Sequence, residues 1–190
     1  MNAVRITSLA LVAALAAVGA CKRREQPLPP QAAAPMPQAP MPSASMDYQR
    51  RIATAEQVVA RDPKNLQAWI ELGNDYFDTQ QREKAIEAYG RALELDPKNP
   101  NVLTDQGVMY RETGAYDKAV ANFQKANQID PSHMQSLFNL GVVYAYDLKQ
   151  PARALEAWNK IIAANPNSPH AAQARQAIEE VRRAAPPATR

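Results

Sequence analysis

Apolar and small side chains return along the chain with a period of about 34 residues. The pairs Asp62-Pro63, Asp96-Pro97, Asp130-Pro131 and Asn165-Pro166 mark this period. Each interval holds two stretches whose apolar residues lie three or four positions apart, which is the spacing of one face of an α-helix. Proline at the end of the second stretch stops that helix. The pattern therefore predicts two helices in every period.

The same side-chain sizes return at the same places in three consecutive periods. A glycine in the first helix should let the second helix approach closely, and an aromatic residue in the second should fill the space between them. The three sets are Trp69, Leu72, Gly73, Tyr76, Ala85, Tyr89 and Ala92; Leu103, Gln106, Gly107, Tyr110, Ala119, Phe123 and Ala126; and Leu137, Leu140, Gly141, Tyr144, Ala154, Trp158 and Ile161. Their helical period assigns the aromatic residues to the core.

These sets resemble the tetratricopeptide repeat, a helix–turn–helix unit of about 34 residues. The resemblance covers residues 66–167 and implies an all-α fold, a right-handed α-solenoid in which stacked repeats share one core. We divide this part of the chain into an N-terminal half-repeat helix within 47–65, repeats at 66–99, 100–133 and 134–167, a capping helix over 168–183 and a disordered tail over 184–190. Eight helices are expected in all.

Three departures from the repeat carry structural expectations. Gln106 stands where the other repeats have leucine, which predicts a polar group in the packing between helices. The third repeat has one extra residue, which we place in the turn between Asp147 and Pro151. Ile161 replaces a small residue and should face the alanines of the last helix.

The first 46 residues do not follow the repeat. Ile6–Ala20 is a mostly apolar run after Arg5, shorter than the roughly twenty residues of a membrane span and typical of a signal peptide. Val18-Gly19-Ala20-Cys21 resembles a bacterial lipobox, in which the cysteine is lipidated and becomes the new N-terminus. We expect a signal peptide over 1–20 and a lipid such as palmitate on Cys21. An ordinary cleaved signal and an uncleaved anchor are the alternatives.

Residues 21–46 are predicted to form a disordered tether, because seven of the 16 prolines lie between Pro27 and Pro42. Lys22 follows the cysteine instead of aspartate, which in lipoprotein sorting points to the periplasmic face of the outer membrane. The formal charge of +3 comes from the chain ends, since acidic and basic residues are nearly balanced between 47 and 183. The repeats therefore lack the basic surface expected of a nucleic-acid binder.

The composition does not favour catalysis. One cysteine and two histidines leave little material for a metal centre or a nucleophile–base pair. His133 and His170 follow periodic prolines and are expected at the surface. We predict no enzyme activity, no cofactor, no metal and no small-molecule substrate.

In the tetratricopeptide family, the first helix of each repeat lines a concave groove that binds a protein or peptide partner. The resemblance carries this role to twelve residues: Gln67, Ile70, Asn74, Phe77, Asn101, Thr104, Val108, Arg111, Gln135, Phe138, Val142 and Ala145. Arg111 is the only cation among them, and Ile70, Phe77 and Phe138 are the largest side chains that packing leaves free. Some members clamp a terminal carboxylate with lysines, but Ile70 and Gln135 occupy those lysine positions here.

The sequence therefore predicts a non-catalytic interaction scaffold, tethered by lipid to the bacterial envelope and binding an extended or helical segment chiefly through apolar contact. Similar repeats occur in lipoproteins that assemble pilus, secretion or outer-membrane complexes. The alternative is an accessory or regulator of a cell-wall enzyme.

Overall fold

The computed structural model of the chain describes residues 43–184, and the predictions for the signal peptide, the lipobox and most of the tether lie outside them. These residues form eight α-helices and no strand, which confirms the all-α prediction. The helices are α1 (Ser43–Arg61), α2 (Leu66–Asp78), α3 (Arg82–Leu95), α4 (Pro100–Glu112), α5 (Tyr116–Ile129), α6 (Met134–Val142), α7 (Pro151–Ala164) and α8 (Pro169–Ala184). None of them has the length and apolarity that crossing a bilayer requires.

Three helix pairs form the complete repeats: α2 with α3, α4 with α5, and α6 with α7. In each pair a glycine lies against the aromatic ring of the partner helix. A Cβ atom on Gly73 would lie 2.5 Å from the Tyr89 ring, and one on Gly107 would lie 2.6 Å from the Phe123 ring. Gly141 meets Trp158 in the same way. The expected close approach at glycine, with an aromatic residue filling the space, is therefore confirmed.

Most of the periodic aromatic residues are buried, but two are not fully so. Trp69 and Tyr110 keep partial exposure, whereas Tyr76, Tyr89, Phe123, Tyr144 and Trp158 are buried. The Trp69 indole N–H donates to the carbonyl oxygen of Pro63 at 2.9 Å. Leu103 and Leu137, at the same repeat position, are buried. The first residue of this set is therefore less buried in the first repeat than in the second and third.

The extra residue of the third repeat lies inside its first helix, not in the following turn as predicted. Val143–Asp147 continues α6 as a π-helical segment, in which one more residue fits into a single turn. In the first repeat the Gln81 N–H donates to the Tyr76 carbonyl, five residues back, whereas the Gln150 N–H donates to the Tyr144 carbonyl, six residues back. Pro151 then opens α7 as expected.

Gln106 is buried and both ends of its amide are bonded. Its Nε2 donates to the Ile86 carbonyl at 2.9 Å, and its Oε1 accepts from Asn122 Nδ2 at 2.8 Å. Ile86 belongs to the first repeat and Asn122 to the second. The predicted polar group in the packing is therefore satisfied, and it bridges two repeats.

Helix α1 begins at Ser43, earlier than the predicted half-repeat helix and inside the predicted tether. Pro42 is the last proline of that segment, and the next proline is Pro63, so no proline interrupts a helix that begins at Ser43. The Tyr48 hydroxyl donates to Asp78 at 3.1 Å. One repeat later, the residues at the same two positions, Arg82 and Glu112, form an ion pair. Helix α1 therefore packs on α2 as the second helix of a half-repeat.

Helix α8 has the features of the first helix of a further repeat. The Ser168 hydroxyl accepts from the Ala171 N–H at 3.1 Å, as the side chains of Asn65, Asn99 and His133 do at the starts of α2, α4 and α6. Ile161, Ala174 and Ala177 share one buried cluster, as predicted. The helix extends to Ala184, one residue into the predicted tail.

Candidate binding groove

The predicted groove residues lie on α2, α4, α6 and the π-helical segment, and they differ in accessibility. The exposed ones are the amides Gln67, Asn74, Asn101 and Gln135. The half-buried ones are Ile70, Phe77, Val108, Arg111, Phe138, Val142 and Ala145. The surface thus offers hydrogen-bonding groups beside a partly open apolar row.

Thr104 does not line this surface. Its side chain is only 1% exposed, and its hydroxyl donates to the Pro100 carbonyl of its own helix at 2.8 Å. A short side chain bonded back to the helix does not reach a ligand. Its inclusion among the groove residues was wrong.

The large apolar residues are not wholly free of packing, contrary to the sequence-based expectation. Ile70 and Phe77 pack against the N-terminal core, and Phe138 packs against the C-terminal core. The centroids of the Phe138 and Trp158 rings are 6.2 Å apart. The Trp158 indole N–H also donates to the Phe138 carbonyl at 3.1 Å. Each residue therefore combines a core contact with an accessible part.

Arg111, the single predicted cation, is paired. Its Nε lies 2.5 Å from Asp147 Oδ2, and its Nη2 donates to Asp147 Oδ1 at 3.4 Å. Asp147 is the last residue of the π-helical segment and is only partly exposed. Sequence reasoning missed this partner because it placed Asp147 in a turn. The positive charge of Arg111 is largely neutralised.

A small acidic pocket of about 300 Å³ opens between α2, α3 and α4, lined by Asn74, Phe77, Asp78, Tyr89 and Asp105. The Tyr89 hydroxyl donates to Asn74 Oδ1 at 2.9 Å. Burial raises the pKa of Asp105 to about 6 and also raises that of Tyr89. Asp105 was absent from the predicted site because the family pattern does not place it in the groove. The only sequence signal for Asp105 was its place directly after Thr104, a residue that was predicted to line the groove.

His133 has a structural role at the start of α6. Its Nδ1 accepts from the Ser136 N–H at 3.2 Å, and its Nε2 lies 3.0 Å from Asn101 Oδ1. Burial lowers the pKa of His133, which favours the neutral ring that this pattern needs. His170 is exposed. Between residues 43 and 184, no group of three or more His, Cys, Asp or Glu side chains is arranged to hold a metal ion.

Solved structures with the same fold include MamA, with 23% identity and a TM-score of 0.68 over 74% of this chain and 80% of that one. A tetratricopeptide repeat protein from Parabacteroides merdae matches with 22% identity and a TM-score of 0.65, over 74% of this chain and 56% of that one. The first repeat domain of Spaghetti (RPAP3), solved with the HSP90 peptide SRMEEVD, matches with 20% identity and a TM-score of 0.57. The match covers 65% of this chain and 94% of that one.

No curated protein matches the sequence. Two family models described as tetratricopeptide repeat match residues 70–133 and 135–168. Together these matches cover just over half of the chain, and they fall on the helix pairs described above. The chain belongs to the tetratricopeptide repeat family.

Proposed function

We propose that this chain is a non-catalytic interaction scaffold whose helices α2, α4 and α6 bind a segment of a partner protein. The observation that carries the proposal is the half-buried apolar row, which includes Ile70, Phe77, Val108, Phe138 and Val142. The exposed amides beside this row have donors and acceptors suited to a peptide backbone. Membership of the tetratricopeptide repeat family supports a role in protein interaction.

The charges of the groove favour a partner segment without acidic groups. Arg111 is neutralised by Asp147, and Arg82, near the rim, is paired with Glu112 at 2.7 Å. Asp78 and Asp105 add negative charge. The HSP90 peptide bound by the RPAP3 domain is acidic. Such a ligand would meet no unpaired cation among the groove residues of α2, α4 and α6, so we do not propose it here.

We further propose that the scaffold is held at the bacterial envelope by a lipid on Cys21 and serves in assembling an envelope, pilus or secretion complex. The support is the apolar run that ends in Val18-Gly19-Ala20-Cys21. Mass spectrometry of the N-terminal peptide from the envelope fraction tests the anchor. A peptide beginning at a lipidated Cys21 is expected, and retention of residues 1–20 would contradict it.

Phe77→Ala tests the groove. Burying part of an aromatic ring against a ligand stabilises the complex by roughly 1.5 kcal/mol, so the variant should capture its partner about tenfold more weakly from solubilised envelopes. Leu95→Ala is the matched control, because Leu95 is a partly exposed apolar residue at the end of α3, away from the groove. Its capture should equal that of the unmodified chain.

Thermal melting of the same variants separates the groove from the core. Phe138→Ala should lower both the melting temperature and the capture, because Phe138 contacts Trp158. If Phe77→Ala lost only stability and still captured the same partner, the groove assignment would be wrong.

A further inference from the structure

The helices that line the groove carry nearly all of their charge as carboxylates. In α2, α4, α6 and the π-helical segment the one cation is Arg111, and the acidic residues are Glu71, Asp75, Asp78, Asp105, Glu112 and Asp147. The second helices of the same repeats, α3, α5 and α7, instead carry seven cations and five carboxylates. Negative charge is therefore concentrated on the first helices of the repeats.

Ion pairs within the chain neutralise only three of these six carboxylates, those of Asp75, Glu112 and Asp147. Between residues 43 and 184, the carboxylates of Glu71, Asp78 and Asp105 are in no ion pair. Glu71 accepts a hydrogen bond from the Gln67 amide at 3.0 Å, and Asp78 accepts one from the Tyr48 hydroxyl at 3.1 Å. These donors are neutral, so the groove side of α2 and α4 keeps a net negative charge.

Two of the three uncompensated carboxylates share a pocket with an aromatic ring of the apolar row. Asp78, Asp105 and Phe77 line the cavity of about 300 Å³ between α2, α3 and α4. Phe77 and Asp105 are half-buried and Asp78 is exposed, so all three are accessible from the groove. A lysine or arginine side chain combines an apolar stem with a charged end. The stem fits against the ring, and the charged end fits between the carboxylates.

Asp105 has no compensating group in the described part of the chain. Burial raises the pKa of Asp105 to about 6, and neither a hydrogen bond nor a positive charge from residues 43–184 opposes that effect. Withdrawing a carboxylate from water costs free energy unless a partner is supplied. A cation from a ligand would supply that partner, which favours a basic side chain over a neutral one in this pocket.

We infer that the partner segment is basic and amphipathic, with apolar side chains on the row of Ile70, Phe77 and Phe138 and a lysine or arginine in the pocket of Asp78 and Asp105. The inference rests on the proposed function, because it names the chemistry of the segment that the groove binds. It goes beyond the exclusion of acidic ligands, since an uncharged apolar segment would leave these carboxylates without a counterion.

Selection from random peptides tests the inference with the full chain. The unmodified chain and Phe77→Ala are each immobilised in a mild detergent and presented with random phage-displayed peptides. Peptides that the unmodified chain retains and Phe77→Ala releases are counted as groove ligands. We expect lysine and arginine to be enriched in these peptides over the starting library, and aspartate and glutamate to be depleted.

The proposed function and this inference fail differently in the selection. If no retained peptide depends on Phe77, while circular dichroism shows the helices of Phe77→Ala intact, the groove function is wrong and the inference falls with it. If peptides depend on Phe77 but are not enriched in basic residues, the groove binds a neutral or acidic segment. In that case the inference is wrong and the proposed function stands.

The affinity of one selected basic peptide measures the contact with the pocket. Replacing its basic residues by glutamine should weaken binding to the unmodified chain roughly tenfold, because two partly exposed charge contacts are lost. Asp78→Asn with Asp105→Asn should weaken binding of the basic peptide by a similar factor. This double variant should then bind the basic and the glutamine peptide equally well. Fluorescence polarisation measures all four combinations.

Glu83→Gln with Glu87→Gln is the matched control, because it removes two exposed carboxylates from α3 that do not line the pocket. It should bind both peptides as the unmodified chain does. If this control weakens binding as much as the aspartate variant does, the effect comes from overall charge and the pocket is not the site. If the aspartate variant keeps a tenfold preference for the basic peptide, the cation binds elsewhere and the inference is wrong.

Discussion

Arg111 of α4 and Asp147 of the π-helical segment form an ion pair that joins the second repeat to the third. The carboxylate is brought there by the extra residue of the third repeat, which lengthens the last turn of that helix. The extra residue in the third repeat therefore also changes the charge of the groove, because its carboxylate neighbour Asp147 pairs with Arg111. A groove predicted to hold one cation holds a neutral pair instead.

Removing the carboxylate should give the groove a free cation. We expect Asp147→Asn to bind a fluorescent peptide with the acidic sequence SRMEEVD roughly fivefold more tightly than the unmodified chain, because a partly exposed charge pair contributes about 1 kcal/mol. Fluorescence polarisation measures this difference. Glu94→Gln, which frees Arg91 on α3 away from the groove, should leave binding unchanged. Equal binding by all three proteins would show that Arg111 does not reach the ligand.

Gly107 should not tolerate even one added methyl group. Because a Cβ atom would overlap the Phe123 ring, Gly107→Ala should cost about 1–3 kcal/mol and lower the melting temperature by roughly 5 °C. Gly90→Ala is the control, since its Cβ atom would meet only the Gln106 amide at 3.5 Å. That change should be neutral or slightly stabilising, because alanine favours a helix interior. Thermal melts showing equal losses would contradict the packing described.

Gln106 and Asn122 should behave as one unit in stability measurements. Gln106→Leu leaves the Asn122 amide without its partner, which costs about 1–3 kcal/mol. The other two repeats have leucine with alanine at these positions, as Leu72 with Ala88 and Leu140 with Ala157. Adding Asn122→Ala to Gln106→Leu should therefore recover most of the lost stability in urea unfolding. Additive losses from the two changes would mean that the amides act separately.

Asp105 should make the stability of the fold depend on pH. Its pKa is raised to about 6 by burial, so the folded chain holds this proton more firmly than the unfolded chain does. The stability that comes from the protonated group is present below about pH 4 and is lost as the pH rises through 6. Asp105→Asn should gain on the order of 1–3 kcal/mol relative to the unmodified chain between pH 4 and pH 7. Urea unfolding at the two pH values measures this gain, and an unchanged difference would contradict it.

The sequence was sufficient for the fold because its period repeats the same side-chain sizes at the same places. Gly73 and Tyr89 are recognisable as partners without coordinates, since the pair returns as Gly107 with Phe123 and Gly141 with Trp158. Each repeat contacts mainly its neighbours, so local pattern and overall architecture carry the same information. The predicted start of α1 was less accurate, because the helix extends back toward the N-terminus as far as Ser43, directly after Pro42.

The site could be predicted only in part, because accessibility and pairing depend on neighbouring repeats. The bond from Thr104 to Pro100 lies within one helix, but the burial of Thr104 depends on the helices packed around it. Asp147 reaches Arg111 only because the first helix of the third repeat lies beside α4. The amides Gln67, Asn74, Asn101 and Gln135 are exposed as expected because they stand on the solvent side of their helices.

The π-helical segment also bears on how this chain tolerates changes in its gene. One added codon in the middle of an α-helix would ordinarily rotate every later residue by about 100°, since each residue advances the helix by that angle. Here Val143–Asp147 absorbs the addition within one turn. Lys149 then adopts the same left-handed backbone, with φ of 55°, as Gln80 and Gly114 at the equivalent turns. Ala154 and Trp158 are buried like Ala85 and Tyr89, so a single insertion is confined to one turn and the array beyond it keeps its register.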